Sequence, residues 1–149
     1  MRIRLSVILI TVVCLSALSK ADDMRPVQTQ NASAGVFSQP QTVRGRLHYL
    51  QNCSTSCHMP NLTGGERAPA LASEMILRQW EGKSLYDVYF RIKSSMPQQR
   101  PGSLPPQLYI DILAYLLQAN GLPFGNSELS TDEVQLRHIV VDAGSTLTP

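Results

Sequence analysis

The chain has 149 residues, with 13 basic and 11 acidic side chains and a formal net charge of +2. This length suits a single domain. The small charge excess excludes the strongly basic surface of a nucleic-acid-binding protein, so no nucleic-acid partner is expected.

The first 21 residues show the three parts of a secretory signal. Arg2 and Arg4 form a positive start, residues 5–18 are almost wholly apolar, and Ser19-Lys20-Ala21 places small residues where a signal peptidase cleaves. The apolar run is shorter than the ~20 residues of a membrane-spanning helix. We therefore predict cleavage after residue 21, a periplasmic mature chain and no membrane span, with an uncleaved anchor as the alternative. The mature chain then has 13 − 3 = 10 basic and 11 acidic residues.

Downstream of the signal, the sequence predicts a polar leader followed by four helices. Residues 22–40 are polar and lack a sustained period, which indicates a flexible leader. Apolar residues at spacings of three and four predict helices over 42–52, 71–80, 84–94 and 107–119. The expected apolar faces are Val43, Leu47, Leu50; Leu71, Met75, Leu77; Leu85, Val88, Tyr89, Ile92; and Tyr109, Ile112, Leu113, Leu116, Leu117.

Residues with capping chemistry mark the expected helix ends. Thr42 is the expected N-cap of the first helix, and Ser84 with Asp87 forms a capping box for the third. Asn120-Gly121 is a typical stop for the fourth helix. The tail after it contains Leu136 and the run 139–141, which could pack on the domain as a short strand or extended arm.

The chemical signal is the run Cys53-Ser54-Thr55-Ser56-Cys57-His58. Cys14 leaves with the signal, so these are the two cysteines of the mature chain. Two thiols followed at once by a histidine are typical of covalent c-type haem attachment, in which the histidine ligates the iron. Here three residues, instead of two, separate the cysteines. Both separations keep the two thiols on one helix face, with some local distortion.

Two other interpretations fit the cysteine pair taken alone. A disulfide is the usual state of neighbouring cysteines in an exported protein. A zinc site would need further ligands, and His48, His58 and His138 supply enough by number.

A second axial ligand is expected at Met96, which follows a predicted helix and precedes Pro97 and a proline-rich loop. Met59 is too close to His58 to reach the opposite haem face. Met75 lies in a helical stripe and is expected in the core, and His48 is expected to have a packing or surface role.

These residues resemble a class I (His/Met) cytochrome c over roughly Thr42 to Gly125. The resemblance implies that Gly45 and Tyr49 on the first helix pack against Ile112 and Tyr115 on the last. A small residue such as glycine would let the two helices approach closely.

The resemblance also assigns roles around the haem. It implies that the Pro69 carbonyl accepts a hydrogen bond from His58, and that Trp80 is a pocket aromatic that contacts the haem, although plain core packing of Trp80 is an alternative. Met59 stands where the family usually has glycine.

The expected fold is all-α, with cytochrome c-like helices wrapped around one covalently attached haem c and an extended C-terminal arm. The expected domains are a signal peptide (1–21), a flexible leader (22–40), a cytochrome c domain (41–125) and the arm (126–149). The haem-binding residues would be Cys53, Cys57, His58, Met96, Pro69 and Trp80, with His58 and Met96 on the iron.

The expected function is periplasmic electron transfer, without catalysis by this chain. The segments 92–97 and 101–104 resemble cytochrome domains that accompany periplasmic dehydrogenases and sulfur-compound oxidoreductases. Transient redox partner proteins, such as a dehydrogenase or an oxidase, are therefore expected. The alternatives are a haem-bearing subunit of a substrate-oxidising complex and a non-haem secreted binding module with a Cys53–Cys57 disulfide.

Overall fold

The computed structural model describes residues 28–142. The predicted signal peptide, the first part of the leader and the last seven residues of the arm lie outside this range. Among the described residues, no helix has the length and apolar character needed to cross a membrane.

Helices dominate the described chain, as the all-α prediction requires. The α-helices are α1 (Gln39–Tyr49), α2 (Glu74–Trp80), α3 (Leu85–Ser95), α4 (Pro106–Ala119) and α5 (Glu133–Arg137), and a π-helix over Leu50–His58 continues α1 directly. Two short strands, β1 (Gln30–Asn31) and β2 (Ile139–Val140), pair in parallel, with Gln30 opposite Ile139.

The crossing of α1 and α4 is the main contact between helices in the described chain. Gly45 lies directly against α4, and a Cβ placed on it would be 1.8 Å from the Asp111 carbonyl oxygen. The Tyr49 and Tyr115 rings meet beside this point, with their centroids 5.5 Å apart. The close approach implied for Gly45 is therefore present, because only glycine leaves room for the facing backbone.

The predicted apolar face of α1 is wrong. Val43 and Leu47 are 58% and 53% exposed, whereas the buried face carries Gln41, Thr42, Gly45 and Tyr49. Helix α1 lies on α4 through its glycine and its polar side chains. The spacing of the aliphatic residues therefore predicted the exposed face of α1 in place of the buried one.

The start of α1 also differs from the prediction. Ser38 is the N-cap, with its hydroxyl accepting a hydrogen bond from the Gln41 amide. Thr42 lies inside the helix, where its hydroxyl donates to the Gln39 carbonyl oxygen at 2.8 Å. Pro40 stands in the first turn, where a missing amide hydrogen costs nothing.

Helix α2 is shorter than predicted. It begins at Glu74, because Ser73 caps it by accepting from the Ile76 amide. Ile76, Leu77 and Trp80 form its buried face, whereas Met75 is 63% exposed, so the expected core position of Met75 is wrong.

Helices α3 and α4 match their predictions closely. Ser84 and Asp87 form the expected capping box at the start of α3, and Asn120 caps α4 before Gly121, which has a φ of +88°. The predicted apolar residues of α3 and α4 are buried apart from Ile92, which is half-buried and packs against the core.

The leader differs from the expected flexible segment from Gln30 onward. Ala32 and Phe37 are completely buried, and the Ser33 amide donates to the Asp142 carboxylate at 2.9 Å. The Ser33 hydroxyl also donates to that carboxylate. The C-terminal arm forms α5 and β2 and joins this leader, so both ends of the described chain pack on the domain.

A buried carboxylate lies between α1 and α4. Asp111 is 2% exposed and accepts hydrogen bonds from Gln41 at 3.2 Å, from Gln107 at 2.8 Å and from Arg44 Nε at 3.2 Å. Arg44 extends outward to Glu128, and its hydrogen bonds to Glu128 and Asp111 raise its pKa above the ordinary value. Three donors thus compensate the cost of burying the Asp111 charge.

Replacing Gly45 by alanine should force α1 away from α4, because the new methyl group would overlap the Asp111 carbonyl. We expect a loss of about 1–3 kcal/mol in the free energy of unfolding, measured by denaturant titration. The control is Gly65→Ala, since its Cβ would have 3.6 Å of clearance. Equal stability of the two variants would contradict the close crossing.

Replacing Asp111 by alanine should remove one of the two acceptors of the buried Gln41 amide, which would keep only the Leu129 carbonyl oxygen. We expect a loss of about 2 kcal/mol or more in unfolding free energy. Glu128→Ala is the matched control, because that carboxylate is half exposed and such pairs contribute about 0–1 kcal/mol. A larger effect at Glu128 would show that the outer ion pair is the stabilising one.

Candidate haem-binding site

The cysteine-histidine run lies at the end of the π-helix. Cys53 and Cys57 are half-buried, and neither thiol is in a disulfide. Their backbone continues from α1 without a break, because the Leu50 amide still donates to the Arg46 and Leu47 carbonyl oxygens. The position of both thiols is therefore fixed by the crossing of α1 with α4.

His58 is almost fully buried, and its ring is oriented by Pro69. Its Nδ1 lies 2.8 Å from the Pro69 carbonyl oxygen. A carbonyl oxygen only accepts, so Nδ1 carries the hydrogen and Nε2 presents its lone pair. The structure gives the ring no further hydrogen bond within residues 28–142, which leaves Nε2 available as a metal ligand.

The loop after His58 holds Pro69 in place through backbone contacts. The Gly64 amide donates to the His58 carbonyl oxygen at 3.1 Å, and the Leu71 amide donates to the Leu62 carbonyl oxygen at 2.8 Å. Gly64 has a φ of +71°, and a Cβ there would be 2.4 Å from the Ala70 nitrogen. The loop can therefore fold back onto His58 only with glycine at this position.

Met59 turns the chain out of the π-helix through an unusual conformation. Its φ of 62° and ψ of 151° belong to a region that is essentially restricted to glycine. The Tyr49 hydroxyl donates to the Met59 carbonyl oxygen at 2.6 Å and so holds this turn. The backbone thus explains why a glycine is expected after the haem histidine, and shows that Met59 bears strain.

Met96 is half-buried and occupies the C-cap of α3. The hydroxyl of Tyr109 donates to the Met96 carbonyl oxygen at 2.7 Å, and Tyr109 itself is buried in α4. Helix α4 therefore fixes the backbone of the predicted second ligand.

The sequence alone does not predict that the hydroxyls of Tyr49 and Tyr109 hold the backbone at Met59 and Met96. The sequence predicts only a core position for Tyr109 and a contact between helices for Tyr49. The available signal was chemical, since a buried tyrosine hydroxyl needs a hydrogen-bond partner.

Trp80 and His48 lie on α2 and α1, respectively. Trp80 packs in the hydrophobic core, and its indole nitrogen makes no hydrogen bond within residues 28–142. His48 Nε2 lies 3.8 Å from Asp111, on the α4 side of α1. Across residues 28–142, the structure contains no group of three or more His, Cys, Asp or Glu side chains able to hold a metal ion.

The local environment keeps the Cys53 thiol protonated. Burial, with a smaller contribution from the charge of Cys57, raises the pKa of Cys53 to about 11. Burial is also the main reason that the pKa of Tyr49 is raised, followed by the charges of Cys53 and Tyr115. The protonated Cys53 is a poor nucleophile, because the thiolate is the reactive form of cysteine.

The chain matches the model of a known protein family. The model of the family described as "Cytochrome C oxidase, cbb3-type, subunit III" matches residues 40–116, just over half of the sequence. The matched range begins in the first turn of α1, ends within α4 and includes all the proposed haem-binding residues. No curated protein and no solved structure gives a significant match.

Replacing Met59 by glycine should relieve the backbone strain after His58. We expect a net gain of about 1 kcal/mol in unfolding free energy, since such a conformation costs a non-glycine residue about 1–3 kcal/mol and glycine costs somewhat more unfolded-state entropy. Denaturant titration of the mature protein measures it. Met59→Ala, which keeps the strain, is the control, and a glycine variant less stable than the alanine variant would refute the assignment.

Proposed function

The chain belongs to the cytochrome c oxidase, cbb3-type, subunit III family, whose domain is that of a c-type cytochrome, and on this premise we propose that it is a periplasmic monohaem electron carrier. Its haem would be covalently attached through Cys53 and Cys57 and ligated by His58 and Met96. The observation that carries the proposal is the hydrogen bond from His58 Nδ1 to the Pro69 carbonyl oxygen. This bond orients the histidine that directly follows the second cysteine.

The two thiols have the chemistry that covalent attachment needs. Each S–H would add across a vinyl group, forming one S–C bond while the thiol hydrogen moves to the other vinyl carbon. No net oxidation or reduction takes place, so no further reactant is required.

The axial ligands would come from two different parts of the chain. His58 offers Nε2, with its ring orientation fixed and its basicity raised by the bond to Pro69. Met96 offers a thioether from the end of α3, and methionine ligation favours the reduced state and a higher potential. Partly buried apolar side chains from the π-helix, the loop before α2, α3 and the loop before α4 would cover the haem faces: Leu50, Leu71, Ala72, Ile92 and Leu104.

When bound, the haem supplies one-electron exchange between Fe(II) and Fe(III). If His58 and Met96 both ligated the iron, this chain would leave no free iron position for a substrate. The residues therefore support an electron carrier more than a catalyst, and redox partners would meet the chain in small, transient contacts.

A second candidate is a haem-bearing subunit of an enzyme complex. The name of the matching family favours it, since it describes a subunit of an oxidase. In that case the chain would still only carry electrons, and a partner subunit would supply the catalytic site.

Replacing Met96 by alanine should remove the second axial ligand while leaving covalent attachment intact. In protein expressed with haem-maturation machinery, we expect altered oxidised and reduced absorption spectra and a midpoint potential lower by on the order of 100 mV, within the ~0.8 V range set by axial ligands. Met75→Ala is the control, because Met75 is exposed on α2.

Three outcomes are informative. Unchanged spectra and potential in Met96→Ala would remove Met96 as the ligand. An equal change in Met75→Ala would show a general effect on folding. A colourless wild-type protein from cells that mature other c-type cytochromes would reject the haem proposal.

A further inference from the structure

The segment that carries both cysteines is not α-helical. Residues Leu50–His58 form a π-helix, in which an amide bonds to the carbonyl five residues earlier instead of four. The Met59 amide closes it by donating to the Ser54 carbonyl oxygen at 3.1 Å. The π-helix spans the same residues as the unusual three-residue spacing between Cys53 and Cys57.

The wider turn and the longer spacing compensate each other. With two residues between the cysteines of an α-helix, the second cysteine and the histidine lie three and four positions after the first. Here Cys57 and His58 lie four and five positions after Cys53. A turn that takes about one more residue returns both side chains to the same sides of the helix.

Two side chains stabilise the wider turn where α1 passes into it. Asn52 Nδ2 donates to the His48 carbonyl oxygen at 2.8 Å, and Ser54 Oγ donates to the Leu50 carbonyl oxygen at 2.8 Å. In an α-helix, the backbone amides of Asn52 and Ser54 would donate to these two carbonyls. Here the side chains of the same two residues donate to them. Such bonds compete with α-helical pairing, and Ser54 makes its bond while buried.

We propose that the π-helix is the device that lets three residues separate the haem-binding cysteines, and that Asn52 and Ser54 are positioning residues which hold it. The inference rests on the proposed haem attachment. It adds a reason why this chain tolerates the longer spacing, which the attachment motif alone does not supply.

The test compares the two spacings. The variants Asn52→Ala and Ser54→Ala and their combination are made in the natural chain and in a chain lacking Thr55. Thr55 is an exposed residue whose deletion leaves two residues between the cysteines. All are coexpressed with haem-maturation machinery. Intact mass and peptide mapping then give the fraction of chains with haem on both cysteines, and the midpoint potential gives an independent readout.

The proposal predicts a strong dependence on spacing. In the natural chain, doubly attached haem should fall by roughly fivefold for each hydrogen bond lost, from the ordinary net strength of such bonds. In the chain lacking Thr55, the same substitutions should change it by less than about twofold. Ser54→Thr, which keeps a hydroxyl, should restore attachment relative to Ser54→Ala, and Thr55→Ala should match the wild type.

Equal losses in both chains would overturn the proposal, because Asn52 and Ser54 would then only stabilise the domain. No loss in the natural chain would show that the π-helix needs neither side chain. A deletion chain without haem, beside a wild type that carries it, would also overturn the proposal, because the wider turn would then not compensate for the extra residue. A wild type without haem would instead reject the proposed function, and this inference with it.

Discussion

The close crossing of α1 and α4 is the constraint on which the rest of the structure depends. Gly45 allows the backbone of α1 to touch the Asp111 carbonyl, and the charge of Asp111 is in turn satisfied by Gln41 and Arg44 from α1. The contact therefore combines a steric requirement with a buried polar one. Because the π-helix continues α1, the crossing also sets the direction in which Cys53, Cys57 and His58 leave the helix pair.

The same two helices support both proposed iron ligands. Tyr49 at the end of α1 donates to the Met59 carbonyl, directly after His58, and Tyr109 of α4 donates to the Met96 carbonyl. Each hydroxyl restrains the backbone beside one ligand. This arrangement suits an electron carrier, since ligands held by a rigid frame need to move little when the iron changes its oxidation state.

Much of this arrangement was predictable because it depends on local chemistry. The capping box of Ser84 with Asp87, the apolar face of α4 and the stop at Asn120 follow from short-range rules. The link from His58 to Pro69 came from family resemblance. The buried face of α1 was not predictable from aliphatic spacing, because it is built from Gly45 and polar residues whose partners lie about 70 positions away. The packed leader was missed for a similar reason, since Ser33 finds its partner at Asp142.

The π-helix shows a different limit of sequence reasoning. The longer spacing in the cysteine motif predicted a local distortion, but not its form. The form depends on side-chain bonds from Asn52 and Ser54 that are weak signals by themselves. Likewise, the strain at Met59 is visible only once the backbone is known, although a non-glycine residue at that place was noted as a departure from the family.

Intact mass spectrometry of the mature chain, denatured after expression with haem-maturation machinery, tests the central claim most directly. The account predicts the mass of the chain from residue 22 onward plus one haem that survives denaturation, with both Cys53 and Cys57 modified in the mapped peptides. A mass without haem, lower by the two hydrogens of a Cys53–Cys57 disulfide, would contradict it.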